Sequence, residues 1–206
     1  LAGDNENPAA ACKPFDSRRD GFVLSEGAGA VILEELEHAL RRGAPIIAEV
    51  IGYGNSNDAK DMIAAGDDGA GPARAMKMAI RKAGIDPLAV DYVNAHGTGT
   101  PLNDMAETRA IKTVFGDHAY QMLVNSSKSM LGHMMGAAGA VECIIAALSV
   151  QHGVVHPTLN LVEADPDCDL DYVPGVARQA DVRIALSNSI GLGGHNSALI
   201  VRRYEA

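Results

Sequence analysis

The chain has 206 residues, 47% of them apolar but only 4% aromatic and none tryptophan, and its formal net charge is −9. That length allows one large domain or two small ones, with a real core built from Ala, Val, Ile, Leu and Met. The negative balance argues against nucleic acid as the main partner, since phosphate binding needs clustered Lys and Arg, and Arg41-Arg42 and Arg202-Arg203 are only short basic pairs.

No apolar run reaches the roughly 20 residues that a membrane span needs. The longest, Ala140 to Val150, is interrupted by Glu142 and Cys143 and reads as a buried helix. Cys12, Cys143 and Cys168 have neither metal nor disulfide spacing, so no metal site is expected and a reducing cytoplasm is the expected setting. The sequence opens without methionine in a polar stretch, Leu1 to Ala11, and carries no secretory signal; it reads as a piece of something longer.

Along the chain, Ala28 to Glu34 reads as a strand, Leu36 to Arg42 as a helix stopped by Gly43, and Pro45 to Tyr53 as a second strand. Asn55 to Gly71 is polar and rich in Gly and Asp, a surface excursion. From Pro72 the spacing of Ala75, Met78, Ala79 and Ala83 predicts an amphipathic helix ending at Gly84. Val90 to Val93 follows as a strand, then a helix from Pro101 to about Phe115. Met122 to Val124 is the next strand and a long helix from about Gly132 to His152 succeeds it. After an irregular acidic stretch, Pro157 to Asp171, two strands (Val182 to Ser189 and Ser197 to Arg203) close the chain as a hairpin-like pair. Strands alternating with helices predict a layered α/β sheet.

Two histidines occupy glycine-rich turns directly after short apolar runs. One is His96, in Ala95-His96-Gly97-Thr98-Gly99-Thr100-Pro101; the other is His133, in Lys128-Ser129-Met130-Leu131-Gly132-His133. Strand ends feeding helices are where open α/β sheets collect ligand-binding groups. An isolated turn histidine is ordinary, but two neutral imidazoles aimed at one oxygen make an electrophilic clamp for an enolate. Lys128, at the mouth of such a site, needs a carboxylate if buried, and Glu142, set among apolar neighbours, is the candidate; a solvated lysine is the alternative. Thr98 and Thr100 either bind an amide-bearing ligand arm or cap the helix at Pro101. Asp104 and Glu107 fall in that helix's first turns, where negative charge is favoured anyway. The Gly191 to Asn196 loop lacks a dinucleotide fingerprint and has no adjoining basic residue; it offers either a backbone N–H for an oxyanion or a plain hairpin turn.

No cysteine reads as a nucleophile. Cys12 precedes Lys13-Pro14, which disfavours helix; Cys143 sits on an apolar helix; Cys168 lies in the negative field of Asp165, Asp167, Asp169 and Asp171. Ser126, Ser127 and Ser129 show no triad spacing.

The two histidine turns and Gly191-Leu192-Gly193-Gly194-His195-Asn196 resemble, in order and spacing, the C-terminal half of β-ketoacyl-[acyl-carrier-protein] synthases, above all the type II elongating enzymes. Pro14-Phe15-Asp16, Arg19-Asp20-Gly21-Phe22 and Glu26-Gly27-Ala28-Gly29 are similar too. The resemblance implies an α/β thiolase-like fold, layered α-β-α on a mixed sheet, with residues 1–206 as the C-terminal domain and the nucleophilic cysteine on an absent N-terminal half. It implies decarboxylative Claisen condensation of an acyl thioester with malonyl-[acyl-carrier-protein] in fatty-acid elongation, and an inactive isolated half. His96 and His133 would stabilise the enolate, with Lys128, paired to Glu142, holding the local field. Thr98 and Thr100 would bind the phosphopantetheine arm, which arrives on the acyl carrier protein, so no separate cofactor is implied. Leu192 would lend its N–H to an oxyanion hole, with Ile190 and Gly193 in the same substrate-binding loop. Implied partners are the carrier protein, the missing half and a second copy of the full-length chain, but no membrane. Ile190 and Leu192 depart from the family's usual phenylalanines, and Asp58 to Ala65 lacks its usual His and Pro. The second reading is a non-catalytic partner resembling the chain-length-factor subunits of polyketide assembly; retention of both histidines and Lys128 favours the catalytic one.

Overall fold

The computed structural model describes residues 1–60 and 66–205. Its strands, in chain order, are β1 (Ala48–Asn57), β2 (Tyr92–Asn94), β3 (Leu123–Asn125), β4 (Val154–Val155), β5 (Arg178–Gln179), β6 (Ile184–Gly191) and β7 (His195–Arg203). The α-helices are α1 (Leu36–Arg41), α2 (Ala70–Ala83), α3 (Pro101–Phe115), α4 (Lys128–Leu131) and α5 (Ala138–His152). One mixed sheet has the order β1-β7-β6-β2-β3, in which β2 runs parallel to both β3 and β6, while β7 is antiparallel to β6 and β1. β4 and β5 form a separate antiparallel pair.

Alternation along the strands assigns each face of this sheet to a helix layer. Val93, Val124, Leu186, Ala198 and Ile200 pack with Ala75, Met76, Ala79 and Ile80 of α2 and Ala110, Ile111 and Phe115 of α3. Tyr92, Ala185 and Val201 form a second cluster with Ala146 and Val150 of α5. The result is the expected layered α-β-α arrangement. Each fully buried Ile or Met in it contributes on the order of 1.5–3 kcal/mol relative to exposure. The carboxyl ends of the parallel strands β2 and β3 deliver the turns that carry His96 and Lys128 to one edge, beside the hairpin that holds Leu192.

Several sequence expectations shift. Ala28 to Glu34 forms no strand: it has no ladder partner among the described residues, and Val31, Ile32 and Leu33 remain 44%, 86% and 71% exposed. β1 starts at Ala48 and runs to Asn57, so the surface excursion begins later than the composition suggested. Residues 61–65, part of the loop read for its missing His and Pro, lie outside the described residues. α2 begins two residues before Pro72, which therefore sits in its first turn. The helix expected from Gly132 is interrupted because Gly132 and Met135 take left-handed φ values of 69° and 50°, so α5 starts only at Ala138. The helical stretch Met135–His152, at 18 residues and mean hydropathy 1.3, is long and apolar enough to cross a membrane by length and composition, contrary to the reading of its sequence. It lies against the sheet, however, through Ala146 and Val150.

α2 approaches β1 so closely that glycine is required at Gly54, where a Cβ would lie 2.1 Å from Ala75 O and 2.6 Å from Ala79 N. Gly54→Ala is expected to destabilise the fold by about 1–3 kcal/mol through backbone displacement, read as a lowered midpoint in denaturant titration.

Candidate active site

The His96 and His133 rings stand edge to face, with centroids 5.2 Å apart and planes at 82°. They share a cavity of about 700 Å³ with Thr98, Thr100, Ile190 and Leu192. The turns from β2 and β3 and the β6–β7 hairpin thus converge as the sequence suggested. Gly193, Lys128 and Glu142 do not line this cavity: Lys128 and Glu142 are buried behind it, each 1% exposed, rather than at its mouth.

Both imidazoles are held neutral. Burial lowers the His96 pKa well below its ordinary value, reinforced by Lys128 and His133. Burial, then Lys128, lowers His133 to about 4. The backbone N–H of Met135 donates to His133 Nδ1 at 3.2 Å, so the neutral ring carries its proton on Nε2. Phe22 sets its ring against His133 at 5.5 Å. His96 Nδ1 is buried with no hydrogen-bond partner among the described residues.

Lys128 Nζ meets Glu142 Oε1 at 2.5 Å, which realises the expected pair and excludes the solvated lysine. Burial raises the Glu142 pKa while Lys128 opposes that shift. Ser126 ties the two turns together: its Oγ donates to Gly97 O at 2.6 Å and accepts from Lys128 N at 3.3 Å.

Thr98 and Thr100 have hydroxyls 2.9 Å apart. Thr100 is the N-cap of α3 by position, yet its side chain makes no capping bond. Thr100 lines the cavity, and its hydroxyl has no capping duty. In the hairpin, Gly193 takes a left-handed φ of 77°, its carbonyl accepts from Asn57 Nδ2 at 2.9 Å, and Gly194 O accepts from Asp58 N at 2.9 Å. These bonds turn the loop's carbonyls toward β1 and its continuation. Ile190 is 7% exposed, whereas Leu192 is 70% exposed.

The sequence assigns the acidic residues of α3 only the role of favourable charges at a helix start, and the structure gives them another. Glu107 is fully buried and accepts from His96 N and Gly97 N, each at 2.8 Å, and from Asn188 Nδ2 at 2.8 Å. Burial pushes its pKa up to about 7 against the pull of these donors. Asp104, also fully buried, accepts from Phe15 N at 2.9 Å and Gly99 N at 3.2 Å and stands 3.7 Å from Arg19 Nε. Their i, i+3 spacing on one face, just after the histidine turn, was the available signal. Leu102, Asn103, Met135 and Ser189 also line the cavity unanticipated.

The thiols are unsuited to attack, as expected. Burial pushes Cys12 and Cys168 up to about 11 and also raises Cys143. For Cys168 burial is the main cause, and of the flanking aspartates Asp165 adds a lesser upward push.

Comparison with known proteins gives the family and the fold. The family described as "Beta-ketoacyl synthase, C-terminal domain" matches residues 47–162, and "Beta-ketoacyl synthase, N-terminal domain" matches residues 2–39. The chain belongs to the β-ketoacyl synthase family, and its fold is thiolase-like. It is 50% identical to the 3-oxoacyl-[acyl-carrier-protein] synthase 2 of Synechocystis sp., aligned over all of this chain and 49% of that protein. It is also 50% identical to the enzyme of the same name from Coxiella burnetii, over 98% of this chain and 49% of that protein. The chain thus spans about half the length of the curated relatives it matches. Among solved structures, a type II PKS acyl-carrier protein in complex with its ketosynthase bound to the hexaketide superposes with a TM-score of 0.96 at 43% identity, covering 98% of this chain and 50% of that one. A β-ketoacyl synthase from Burkholderia phymatum gives 0.93 at 42% identity, covering 98% and 48%.

Glu107→Gln would turn an amide N–H toward a backbone donor and leave a buried group unsatisfied. The expected cost is about 1–3 kcal/mol of stability, with faster amide hydrogen exchange at His96 and Gly97; unchanged exchange at both would refute the pinning role.

Proposed function

We propose that this chain supplies the histidine part of a β-ketoacyl-[acyl-carrier-protein] synthase active site, catalysing decarboxylative condensation in fatty-acid elongation. The observation that carries the reading is the pair of neutral imidazoles, 5.2 Å apart on one cavity wall. A malonyl thioester bound there loses carbon dioxide, and the electron pair of the broken C–C bond moves into the enolate. The N–H groups of His96 and His133 donate to the developing enolate oxygen, an electrostatic contribution strengthened by exclusion of water. The carbanion then attacks an acyl thioester, forming the new C–C bond and expelling the thiolate.

No thiol here has the acidity to carry that acyl group, so we assign the nucleophilic cysteine to a second half of the protein. Two facts support this: the relatives are about twice as long, and Val31, Ile32 and Leu33 are exposed without a strand partner. Lys128 with Glu142 sets the field behind the histidines. Thr98 and Thr100 take the phosphopantetheine arm, the Leu192 N–H completes an oxyanion hole, and Ile190 and Gly193 shape the same loop. The carrier protein is the partner that delivers the arm, a reading in keeping with the relative solved with its acyl-carrier protein. With Leu192 and Ile190 as aliphatic residues, the loop offers less bulk between the acyl and malonyl positions than an aromatic pair would.

His96→Ala and His133→Ala in the full-length enzyme are expected to slow malonyl decarboxylation by about 10²–10³-fold, the cost of one oxyanion donor, while acyl transfer to the cysteine falls much less. Single-turnover assays of each step decide this; equal loss in both would remove the enolate role.

A further inference from the structure

Asn103 stands in the first turn of α3, three residues after Thr100, and both line the cavity that holds the two histidines. Residues at that spacing are neighbours on one face of a helix. Asn103 is only 8% exposed, so each polar atom of its carboxamide needs a partner. One end has it: Nδ2 donates to Asp104 Oδ1 at 3.1 Å. Asp104 is itself held in place, because Phe15 N and Gly99 N donate to the same carboxylate at 2.9 and 3.2 Å and Arg19 Nε stands 3.7 Å from it. A carboxylate set in that ring of donors also decides which end of the amide faces it, the N–H end. The carboxamide is planar, so holding Nδ2 fixes Oδ1 as well, and no described residue donates to that oxygen.

The threonines beside it supply the converse. The Thr98 and Thr100 hydroxyls lie 2.9 Å apart, so one hydroxyl hydrogen is spent on the other residue's oxygen. Thr98 Oγ1 also accepts from Thr100 N at 3.4 Å, while the second hydroxyl hydrogen has no acceptor among the described residues. This wall therefore presents one hydroxyl donor and one carboxamide acceptor. A secondary amide has the matching pair, a carbonyl that accepts and an N–H that donates. An ester of the same length offers the carbonyl alone, and would leave Asn103 Oδ1 desolvated and unpaired once bound.

We propose that Asn103 is a specificity residue that accepts a hydrogen bond from a secondary amide of the arm carrying the malonyl thioester, an inference that rests on the condensing-enzyme reading above. The threonine hydroxyls hold the arm by a carbonyl oxygen; Asn103 distinguishes an amide from an ester. It touches no reacting atom, so its effect falls on binding of the arm.

The test pairs Asn103→Leu, which keeps the shape and removes the acceptor, with two analogues of malonyl-pantetheine in which one amide N–H or the other is replaced by an ester oxygen. With the wild-type full-length synthase, kcat/KM for at least one ester analogue is expected to be about tenfold below that for the amide, the effect of an acceptor left unpaired. In Asn103→Leu the amide-to-ester ratio for that analogue is expected to fall to about one, with the amide losing through KM. A structural role alone lowers amide and ester alike, so an unchanged ratio in the variant overturns the proposal, as does a wild type that does not discriminate. Should Asn103→Leu fail to fold, Asn103→Ala gives the same comparison. If the wild type turns over none of these thioesters, the condensing-enzyme reading fails, and calorimetric binding of S-methylpantetheine and its two ester analogues judges the subsite alone. An amide preference that the variant lacks supports it; an equal preference in both proteins overturns it.

Discussion

A lysine ammonium buried against Glu142 is the constraint on which the site depends. Lys128 and Glu142 are each 1% exposed and in direct contact. Removing one partner of such a pair leaves an uncompensated buried charge, at about 3–5 kcal/mol. The pair therefore anchors α5 to the turn that leads to His133. Its positive end also acts at a distance, since Lys128 adds to burial in keeping both imidazoles unprotonated. A neutral imidazole keeps one N–H to donate to an enolate oxygen, so the same contact serves packing and chemistry.

Around that pair, side chains fix the backbone of the His96 turn, whereas the His133 turn is held by backbone bonds, His133 N donating to Val23 O at 2.7 Å and Ser25 N to His133 O at 3.1 Å. Glu107 holds His96 N and Gly97 N, Asp104 holds Gly99 N, and Ser126 bridges Gly97 O to Lys128 N. The sheet supplies the coarse placement: β2 and β3 run parallel with Asn94 opposite Asn125, so the turns that follow leave at the same level. Ala95 N then donates to Asn125 O at 2.8 Å, extending the pairing one residue into the His96 turn. Rigid placement of donors is what electrostatic stabilisation of a developing charge requires, because nothing needs to reorganise when the charge appears.

Much of this was legible in the amino-acid sequence, for reasons specific to particular residues. Pro101 and Gly116 bracket α3, and the glycines after β2 and β3 mark turns that only function or tight geometry would select. The Lys128–Glu142 pair followed from one acidic residue stranded in an apolar helix. Other features escaped because they depend on distant partners. Val31 to Leu33 have strand composition, but a strand exists only when another strand accepts its hydrogen bonds. Glu107 and Asp104 looked like favourable charges at a helix start, and only the tertiary fold brings backbone N–H groups to them. The cationic face of α2 was hidden because its residues are interleaved with the apolar ones that fill the core, while the adjacent pairs Arg41-Arg42 and Arg202-Arg203 drew notice. In the structure Arg42, Arg202 and Arg203 have carboxylate partners; Lys77 and Arg81 have none among the described residues.

The protonation state of the two rings tests the account most directly. Because the folded pKa of His133 lies below its unfolded value, the native ring should take up a proton only as the pH falls toward about 4. Nitrogen-15 NMR of labelled histidine in the full-length protein should show His96 and His133 neutral at pH 5.5, with His133 protonated on Nε2 alone. Titration of both rings near 6.5, or a His133 tautomer with its proton on Nδ1, would contradict the central claim.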